Sequence, residues 1–263
     1  MKAGTMSRRA DLARSIRLFR AFRSEQSDGH GYYTTLAADT AALLRQYTDL
    51  ADRLVLDVGG GPGYFATEFR RHGARCLCVD VDAGELAGQG APGGGLLGSA
   101  LDLPLRDCAV DVCFSSNVLE HVPDPWRMAA EMVRVTRPGG LVFLAYTNWL
   151  SPWGGHETSP WHYLGGHRAA QKYQEKYGKP PKNHYGRSLY PVSVADGLRW
   201  ARGERQVEVV DAFPRYLPWW YRPMLKVPIV REFATWNLVL VLRKRTPPSP
   251  PPPTSHGPSN PPR

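Results

Sequence analysis

The sequence predicts an α/β fold in which helices cover both faces of a mostly parallel sheet. Short, continuous apolar runs, typical of strands buried in a parallel sheet, alternate with segments whose apolar residues recur at helical spacing. The first of these runs, residues 54–58, leads into a glycine-rich turn and then a helical segment, which is the pattern of a βα unit. The chain has 263 residues, 42% of them hydrophobic, which is enough for a substantial core and excludes a disordered or fibrous protein.

The individual elements follow from the same patterns. Helices are predicted at residues 8–23, 33–50, 63–71, 126–136 and 194–202, and strands at 54–58, 75–79, 110–115, 141–146, 207–213 and 237–242. The sequence Arg137-Pro138-Gly139-Gly140 predicts a sharp turn between a helix and the following strand. The last two strands should form the far edge of the sheet.

Charge is distributed unevenly along the chain. The formal net charge is +9, yet residues 51–150 carry −4 while residues 1–23 and 215–245 carry +6 each. The second basic flank mixes its cations with aromatic and aliphatic residues, a combination suited to a lipid headgroup boundary. The first flank predicts a basic amphipathic helix with an apolar side formed by Leu12, Ile16, Phe19 and Phe22. We therefore expect peripheral contact with an anionic membrane through these flanks.

The four cysteines predict a reducing compartment. Cys76, Cys78, Cys108 and Cys113 lie in or beside apolar runs, where buried, reduced thiols are expected, and their spacing is not that of a zinc site. No apolar run approaches the ~18 residues of a membrane span, and the arginine-rich start lacks the apolar segment of a signal peptide. These features predict a cytoplasmic protein.

The glycine-rich turn is the main binding motif of the sequence. Gly59, Gly61 and Gly63 follow the first predicted strand and allow a ligand to approach the backbone closely. Asp57 precedes the turn, where a carboxylate would repel a pyrophosphate but attract a cationic or amino-bearing ligand. Asp80 ends the next strand, at the position where a carboxylate accepts hydrogen bonds from ribose hydroxyls.

These motifs, together with Leu101-Asp102-Leu103-Pro104-Leu105 and Ser116-Asn117-Val118-Leu119-Glu120-His121, resemble the class I S-adenosylmethionine-dependent methyltransferases of the type 11 branch over about residues 52–150. The resemblance implies a Rossmann-like seven-stranded sheet with helices on both faces and an antiparallel last strand. It implies S-adenosylmethionine as cofactor, bound by Asp57, Gly59, Gly61, Gly63, Asp80, Val81, Ser99, Ala100, Leu101, Ser115 and Asn117. Ser99 departs from the family pattern, which commonly has aspartate there; a serine hydroxyl accepts the adenine hydrogen bond without charge assistance.

The resemblance and the composition together divide the chain into five segments. They are an N-terminal helical cap (1–50), an S-adenosylmethionine-binding core (51–150), an acceptor lid insertion (151–192), a C-terminal helix and edge strands that complete the sheet (193–245), and a disordered proline-rich tail (246–263). Other parts of the chain are similar to uncharacterised actinobacterial methyltransferases.

The lid segment is expected to hold the residues that choose and activate the acceptor. It contains four of the eight histidines and starts at the carboxyl end of a strand, where ligands bind in open α/β sheets. O-methylation requires a group that takes the hydroxyl proton, and the candidates are His156, Glu157, His162, Tyr163 and, after the fourth strand, His121. No metal site is expected, because Pro160 and the spacing of the histidines exclude an H-E-x-x-H helix.

The leading interpretation is a methyltransferase that acts on oxygen of a small-molecule, lipid or glycan acceptor. One alternative is a C-methyltransferase of the quinone-biosynthesis type, which needs no strong base, and another is a cofactor-binding, membrane-associated protein without turnover. Nucleic acid is disfavoured as a partner. The chain has Ser-Ser-Asn-Val where base amino-methyltransferases carry N/D-P-P-Y, and no cysteine is placed for attack on cytosine.

Overall fold

Seven strands form the central sheet. In the computed structural model, which describes residues 12–23, 28–87 and 95–247, they are β1 (Leu54–Val58), β2 (Arg75–Asp80), β3 (Gly95–Leu97), β4 (Val110–Ser116), β5 (Thr136–Thr147), β6 (Val207–Pro214) and β7 (Asn237–Lys244). Their order is β3-β2-β1-β4-β5-β7-β6. All pairs up to β5 are parallel, whereas β7 runs antiparallel to both β5 and β6. The predicted seven-stranded sheet with an antiparallel last strand is confirmed.

Helices cover both faces of this sheet. They are α1 (Leu12–Arg23), α2 (Gly29–Leu44), α3 (Tyr64–Arg71), α4 (Ala83–Ala87), α5 (Pro125–Val135), α6 (Gly166–Tyr177), α7 (Val194–Gly203) and α8 (Pro228–Ala234). Side chains alternate across β4, so that Cys113 packs with α5 and α7 while Phe114 packs with α2 and α3. Burial on both faces explains why the parallel strands are continuous apolar runs.

The ends of two predicted helices shift for identifiable reasons. The second helix, expected from residue 33, begins at Gly29 because the side chain of Asp28 accepts a hydrogen bond from the Gly31 amide and caps it. Its end is at Leu44 rather than residue 50. The predicted turn at residues 137–140 is an irregularity within β5. Thr136 pairs with Val110 and Leu141 with Val112, so four residues of β5 bulge out between two pairs.

The buried side of α1 is not centred on its apolar residues. Leu12 is 55% exposed and Ile16 is 42% exposed, whereas Arg14, Ser15 and Leu18 are buried. Arg14 faces inward because its guanidinium pairs with the buried carboxylate of Asp39 on α2, with atoms 2.6 and 2.8 Å apart. The apolar side of α1 is therefore partly on the surface.

The predictions for the cysteines and for the two ends of the chain hold only in part or lie partly outside the described residues. Cys76, Cys78 and Cys113 are buried free thiols as expected, but Cys108 is exposed at a left-handed position just before β4. The first four residues of the predicted helix 8–23, and residues 248–263 of the predicted proline-rich tail, lie outside the described residues. Within the described ranges, no helix combines the length and apolarity that crossing a membrane requires.

Candidate active site

The glycine loop lies at the carboxyl edge of the sheet, where the parallel strands end. Gly59, Gly61 and Gly63 have φ values of 71°, 48° and 81°, which glycine adopts without strain. A Cβ at Gly59 would collide with both γ-methyl groups of Val118. A Cβ at Gly61 would meet only a Glu85 carboxylate oxygen at 3.9 Å. The loop thus presents bare backbone to an open space.

Asp57 lies beneath this loop and is 1% exposed. Its Oδ2 has no hydrogen-bond partner among the described residues. Burial, reinforced by the nearby Cys78 and Asp80, holds the pKa of the Asp57 carboxyl well above its usual value. A ligand that donates a hydrogen bond or brings a positive charge would relieve this cost. The ammonium group of S-adenosylmethionine has that chemistry.

Asp80 and the turn after β3 form the other side of the opening. The Asp80 carboxylate accepts hydrogen bonds from the amides of Gly61 (3.1 Å) and Asp82 (3.0 Å), which fixes it beside the glycine loop with lone pairs left for a ligand. Val81 is exposed. Ser99 uses its hydroxyl to accept the Leu101 amide at 3.1 Å, and Ala100 and Leu101 pack partly against the core. This geometry suits a ribose and an adenine, in line with the residues assigned by resemblance.

The side chains of Ser115 and Asn117 both form hydrogen bonds within the protein. The Ser115 hydroxyl is buried and donates to the Val58 carbonyl at 2.9 Å, so it ties β4 to β1 within the sheet. Asn117 has a φ of 59°, donates its amide to Ala145 and accepts a hydrogen bond from the Asn237 side chain at 2.8 Å. Asn117 therefore stands at the carboxyl edge between β5 and β7.

Arg215 is a buried cation at the same edge that sequence reasoning missed. It is 1% exposed and follows β6 directly. Its guanidinium donates to the hydroxyls of Ser116, at 2.7 Å, and Thr40, while its Nε has no partner among the described residues. Arg14 of α1 donates to the Arg215 carbonyl at 2.9 Å. Arg215 thereby joins the N-terminal helices to the end of β4.

Three residues with metal-type or base-type side chains meet beside this edge. Glu120, His121 and His156 each offer a ligand atom, and these atoms lie within 4.8 Å of one another. Glu120 and His121 belong to a single 3-10 turn (Leu119–His121) shortly after β4. His156 begins the 3-10 turn His156–Thr158 of the lid and has a φ of 50°, a strained value for a histidine. We call these three residues the Glu-His-His cluster.

Hydrogen bonds fix the orientation of the cluster. The Nδ1 of His121 lies 2.6 Å from the Ser188 carbonyl and must donate to it, so the lone pair is on Nε2. Glu120 is buried; its Oε1 accepts the Thr147 amide at 3.0 Å, whereas its Oε2 has no partner among the described residues. Burial lowers the pKa of His156; Glu120 opposes this, and His121 adds to it. Burial therefore favours the neutral form of the His156 imidazole.

The other lid candidates are engaged in local contacts. Both carboxylate oxygens of Glu157 accept hydrogen bonds from Asn183, at 2.6 and 2.9 Å. Burial raises the pKa of Glu157, but these hydrogen bonds outweigh it and the pKa lies below its usual value. His162 is buried, with Nε2 3.0 Å from the Ser151 carbonyl, and Tyr163 donates to the Leu150 carbonyl at 3.2 Å. The structure thus brings together His121 and His156, and Glu120 joins them.

The sequence pattern does not show this cluster because Glu120 and His156 are 36 positions apart. The signal that could have found Glu120 is its place beside His121 directly after a strand end. A paired-cysteine zinc site and an H-E-x-x-H helix each lie within one short segment, whereas this set combines the lid with the turn after β4. The expectation of no metal remains a prediction, and the side chains present are of the type that binds one.

An apolar slot opens near the same edge. Among the described residues its lining is aromatic and comes from α1, the lid and the segments around β6 and β7: Phe19, Phe22, Trp153, Tyr216 and Trp236. We call it the aromatic slot. Tyr32 connects it to the glycine loop: its hydroxyl meets that of Tyr216 at 3.1 Å, and its ring packs on Tyr33, which stacks on Tyr64 at the start of α3.

Comparison with known proteins agrees with this site. Residues 56–144, which contain the glycine loop and the turn after β4, match the family described as "Methyltransferase domain". The chain is 51% identical over 250 residues to an uncharacterized methyltransferase of Mycobacterium marinum, with 91% of this chain and 97% of the relative covered. It is 52% identical over 255 residues to one of Mycobacteroides abscessus, again covering 91% and 97%.

Among solved structures, an S-adenosylmethionine-dependent methyltransferase of Mesorhizobium loti shares the fold. Its TM-score is 0.55 at 20% identity, with 79% of this chain and 98% of that chain covered. The similarity to these mycobacterial relatives extends well beyond residues 56–144, since it covers 91% of this chain. From its fold, its glycine loop and these relatives, the chain belongs to the family of S-adenosylmethionine-dependent methyltransferases.

Proposed function

We propose that this enzyme methylates a hydroxyl oxygen of an apolar, lipid-linked acceptor. The observation that carries the proposal is the position of the Glu-His-His cluster. It follows β4, whose neighbour β1 leads into the glycine loop, so an acceptor beside the cluster lies close to a ligand on that loop. Methyl transfer needs such proximity because the acceptor atom must approach the methyl carbon in line.

The cofactor-binding residues act through the contacts described above. The cofactor, when bound, supplies an electrophilic methyl group on a sulfonium. Asp57 would accept from its ammonium group, and Asp80 from its ribose hydroxyls. The bare backbone of Gly59, Gly61 and Gly63 leaves room for the ligand, while Val81, Ser99, Ala100 and Leu101 would surround the adenine. Asn117 would lie towards the methyl group.

The Glu-His-His cluster favours oxygen as the methylated atom. As the oxygen–carbon bond forms, the carbon–sulfur bond breaks, sulfur keeps the electron pair and the acceptor releases its hydroxyl proton. The cluster holds and orients the hydroxyl and lowers the cost of losing that proton. Methylation of an activated ring carbon would make no such demand on the enzyme.

The apolar character of the acceptor is inferred from the aromatic slot and from the surface beside it. The 3-10 helix Trp219–Lys226, α8 and the residue between them carry a group of exposed apolar side chains. We call this group the amphiphilic patch: Trp219, Trp220, Tyr221, Val227, Ile229, Val230 and Phe233. The Phe233 ring lies 6.1 Å from that of Tyr163, so the patch borders the lid. A lipid-linked acceptor could enter here from a membrane surface.

Transfer of a labelled methyl group tests the proposal. The full chain is incubated with S-adenosylmethionine labelled in the methyl group and with lipid extracts from an actinobacterium, and labelled products are separated by chromatography. We expect one labelled lipid whose label is released by hydriodic acid, which cleaves methyl ethers and esters but leaves C-methyl groups intact. Label that resists this treatment would establish the C-methyltransferase alternative.

Two variants serve as controls for this experiment. Asp80→Ala should bind the cofactor poorly and label little. His156→Ala should bind the cofactor as the unmodified enzyme does but transfer the methyl group slowly. If the unmodified enzyme binds S-adenosylmethionine and labels nothing in lipid, glycan or small-molecule fractions, the protein is a cofactor-binding protein without turnover and the proposal is wrong.

A further inference from the structure

We infer that the Glu-His-His cluster binds one divalent transition-metal cation, of which zinc is the type, and that the acceptor oxygen coordinates this cation. The role toward the acceptor rests on the proposed function, whereas cation binding stands without it. Two imidazoles and one carboxylate form a ligand set that divalent first-row metals prefer.

The dimensions of the cluster suit one ion. Zinc lies about 2.0–2.2 Å from nitrogen and oxygen ligands, so ligands of one tetrahedral ion are roughly 3.5 Å apart. The three ligand atoms already lie within 4.8 Å of one another. His156 is only partly buried, so a small rotation of its side chain would bring its ligand atom closer to the other two.

The environment of the Glu120 carboxyl group is a second observation that favours a bound cation. Its carboxyl group is 1% exposed, and Oε2 lacks a hydrogen-bond partner among the described residues, so a buried polar atom is left unsatisfied. The other oxygen, Oε1, is held by the Thr147 amide at 3.0 Å. A carboxylate that is fixed by one oxygen and unsatisfied at the other is suited to a cation at the second oxygen.

His121 has the outer contact that metal-binding histidines generally have. Its Nδ1 donates to the Ser188 carbonyl at 2.6 Å, which fixes the ring and leaves Nε2 as the ligand atom. His156 is held by an unusual backbone conformation, with its ring 4.9 Å from that of His121. Strain of this kind persists where the surrounding structure maintains a functional geometry.

Three protein ligands leave one coordination position open for the acceptor hydroxyl. A coordinated hydroxyl has a strongly lowered pKa, so water can take its proton near neutral pH. The oxygen then forms its bond to the methyl carbon as the carbon–sulfur bond breaks, and the cation remains unchanged. The cluster thus needs no side chain that itself accepts the proton.

Cobalt and zinc titrations test the inference on the full chain. The purified protein is stripped with a chelator and titrated with Co²⁺, followed by visible absorption, and then with Zn²⁺ by calorimetry. We expect one equivalent to bind, with an absorption band typical of four- or five-coordinate Co²⁺. Glu120→Gln, His121→Gln and His156→Gln should each weaken binding at least tenfold. His167→Gln, which changes an exposed lid histidine outside the cluster, should not.

S-adenosylmethionine binding by each variant shows that it is folded. The inference is wrong if the unmodified protein binds no stoichiometric Co²⁺ or Zn²⁺, or if folded cluster variants bind them as tightly as it does. If methyl transfer proceeds at full rate in stripped protein, the inference fails and the proposed function stands. If the cation binds but no acceptor is methylated, the metal site stands and the proposed function fails.

Discussion

At the residue scale, two glycines with nearly the same φ allow the cost of backbone strain to be distinguished from the cost of a steric clash. Gly59 in the cofactor loop has a φ of 71°, and Gly178 at the end of α6 has a φ of 70°. A Cβ at Gly178 would meet no atom within 4 Å, whereas one at Gly59 would collide with Val118. Alanine at either position therefore pays for a left-handed φ. Only alanine at position 59 also clashes with a neighbouring side chain.

We predict that Gly178→Ala lowers the free energy of unfolding by about 1–2 kcal/mol, the usual cost of a left-handed residue with a Cβ. Gly59→Ala should lose about 1–3 kcal/mol more, because it also overpacks the contact with Val118. Urea unfolding measures both. Adding Val118→Ala to Gly59→Ala should restore part of the difference, and equal losses at the two glycines would contradict the contact.

Asp80 should contribute charge-assisted hydrogen bonds to the cofactor. We predict that Asp80→Ala weakens S-adenosylmethionine binding by about 1.5–3 kcal/mol, or roughly 10- to 150-fold, in calorimetry. The nearby Asp82 is exposed and its carboxylate binds the Gly84 and Glu85 amides at the start of α4. Asp82→Ala should therefore change affinity much less. Similar losses for both variants would mean that Asp80 acts through local structure.

At the scale of elements, the Arg14–Asp39 ion pair joins α1 to α2 and decides which face of α1 is buried. Both side chains are at most 8% exposed. Hydrophobic periodicity identifies an apolar side of α1 that includes Leu12 and Ile16, but it does not say which side of the helix is buried. The buried side contains Arg14 because a buried carboxylate on α2 requires a cation.

We predict that Asp39→Asn lowers the free energy of unfolding by about 3–5 kcal/mol, since it leaves a buried guanidinium without its charge partner. Arg14→Met combined with Asp39→Leu should lose less, because both charges are removed together. Arg71→Ala, which breaks an exposed pair with Glu68, should cost at most about 1 kcal/mol. Urea unfolding compares the three, and a loss for Asp39→Asn no larger than for Arg71→Ala would refute the buried role.

The lid contains a second connection between elements, from Glu157 to Asn183. The sequence predicted Glu157 as a base, whereas its geometry indicates a tether that fixes the start of the lid to the segment after α6. If it is a tether, Glu157→Ala and Asn183→Ala should raise KM for the acceptor to a similar degree and leave kcat nearly unchanged. If it is a base, only Glu157→Ala should lower kcat.

At the scale of the whole molecule, the parts predicted from sequence are those whose causes are local. The β1 run, the Gly59–Gly63 turn and the strand periods each act within a few residues, and they predict the mostly parallel α/β sheet. The number of strands and the antiparallel last strand came from the resemblance to the methyltransferase family. The Glu-His-His cluster and Arg215 depend instead on which loops the sheet brings to its carboxyl edge. The short strand β3 was missed because its three residues are exposed and form no apolar run.

The second basic flank, residues 215–245, exposes fewer unpaired positive charges than its formal charge indicates. Arg215 is buried, Arg222 pairs with Asp211 at 2.9 Å, and Arg231 pairs with Glu232 at 3.3 Å. Lys226 is exposed among the apolar residues of the amphiphilic patch. Membrane contact through this patch would therefore depend more on apolar insertion than on attraction to anionic lipid.

This distinction yields a prediction for sedimentation with vesicles. The protein should bind vesicles that contain phosphatidylserine or cardiolipin, and should keep a substantial part of that binding when salt is raised, because burial of apolar surface is not screened. Ile229→Glu should lower the bound fraction several-fold, since Ile229 is 76% exposed in the patch and a carboxylate there opposes insertion. Leu97→Glu, at an exposed apolar residue on the opposite edge of the sheet, should not. Equal binding by both variants, or none by the unmodified protein at any salt concentration, would remove the patch as a membrane contact.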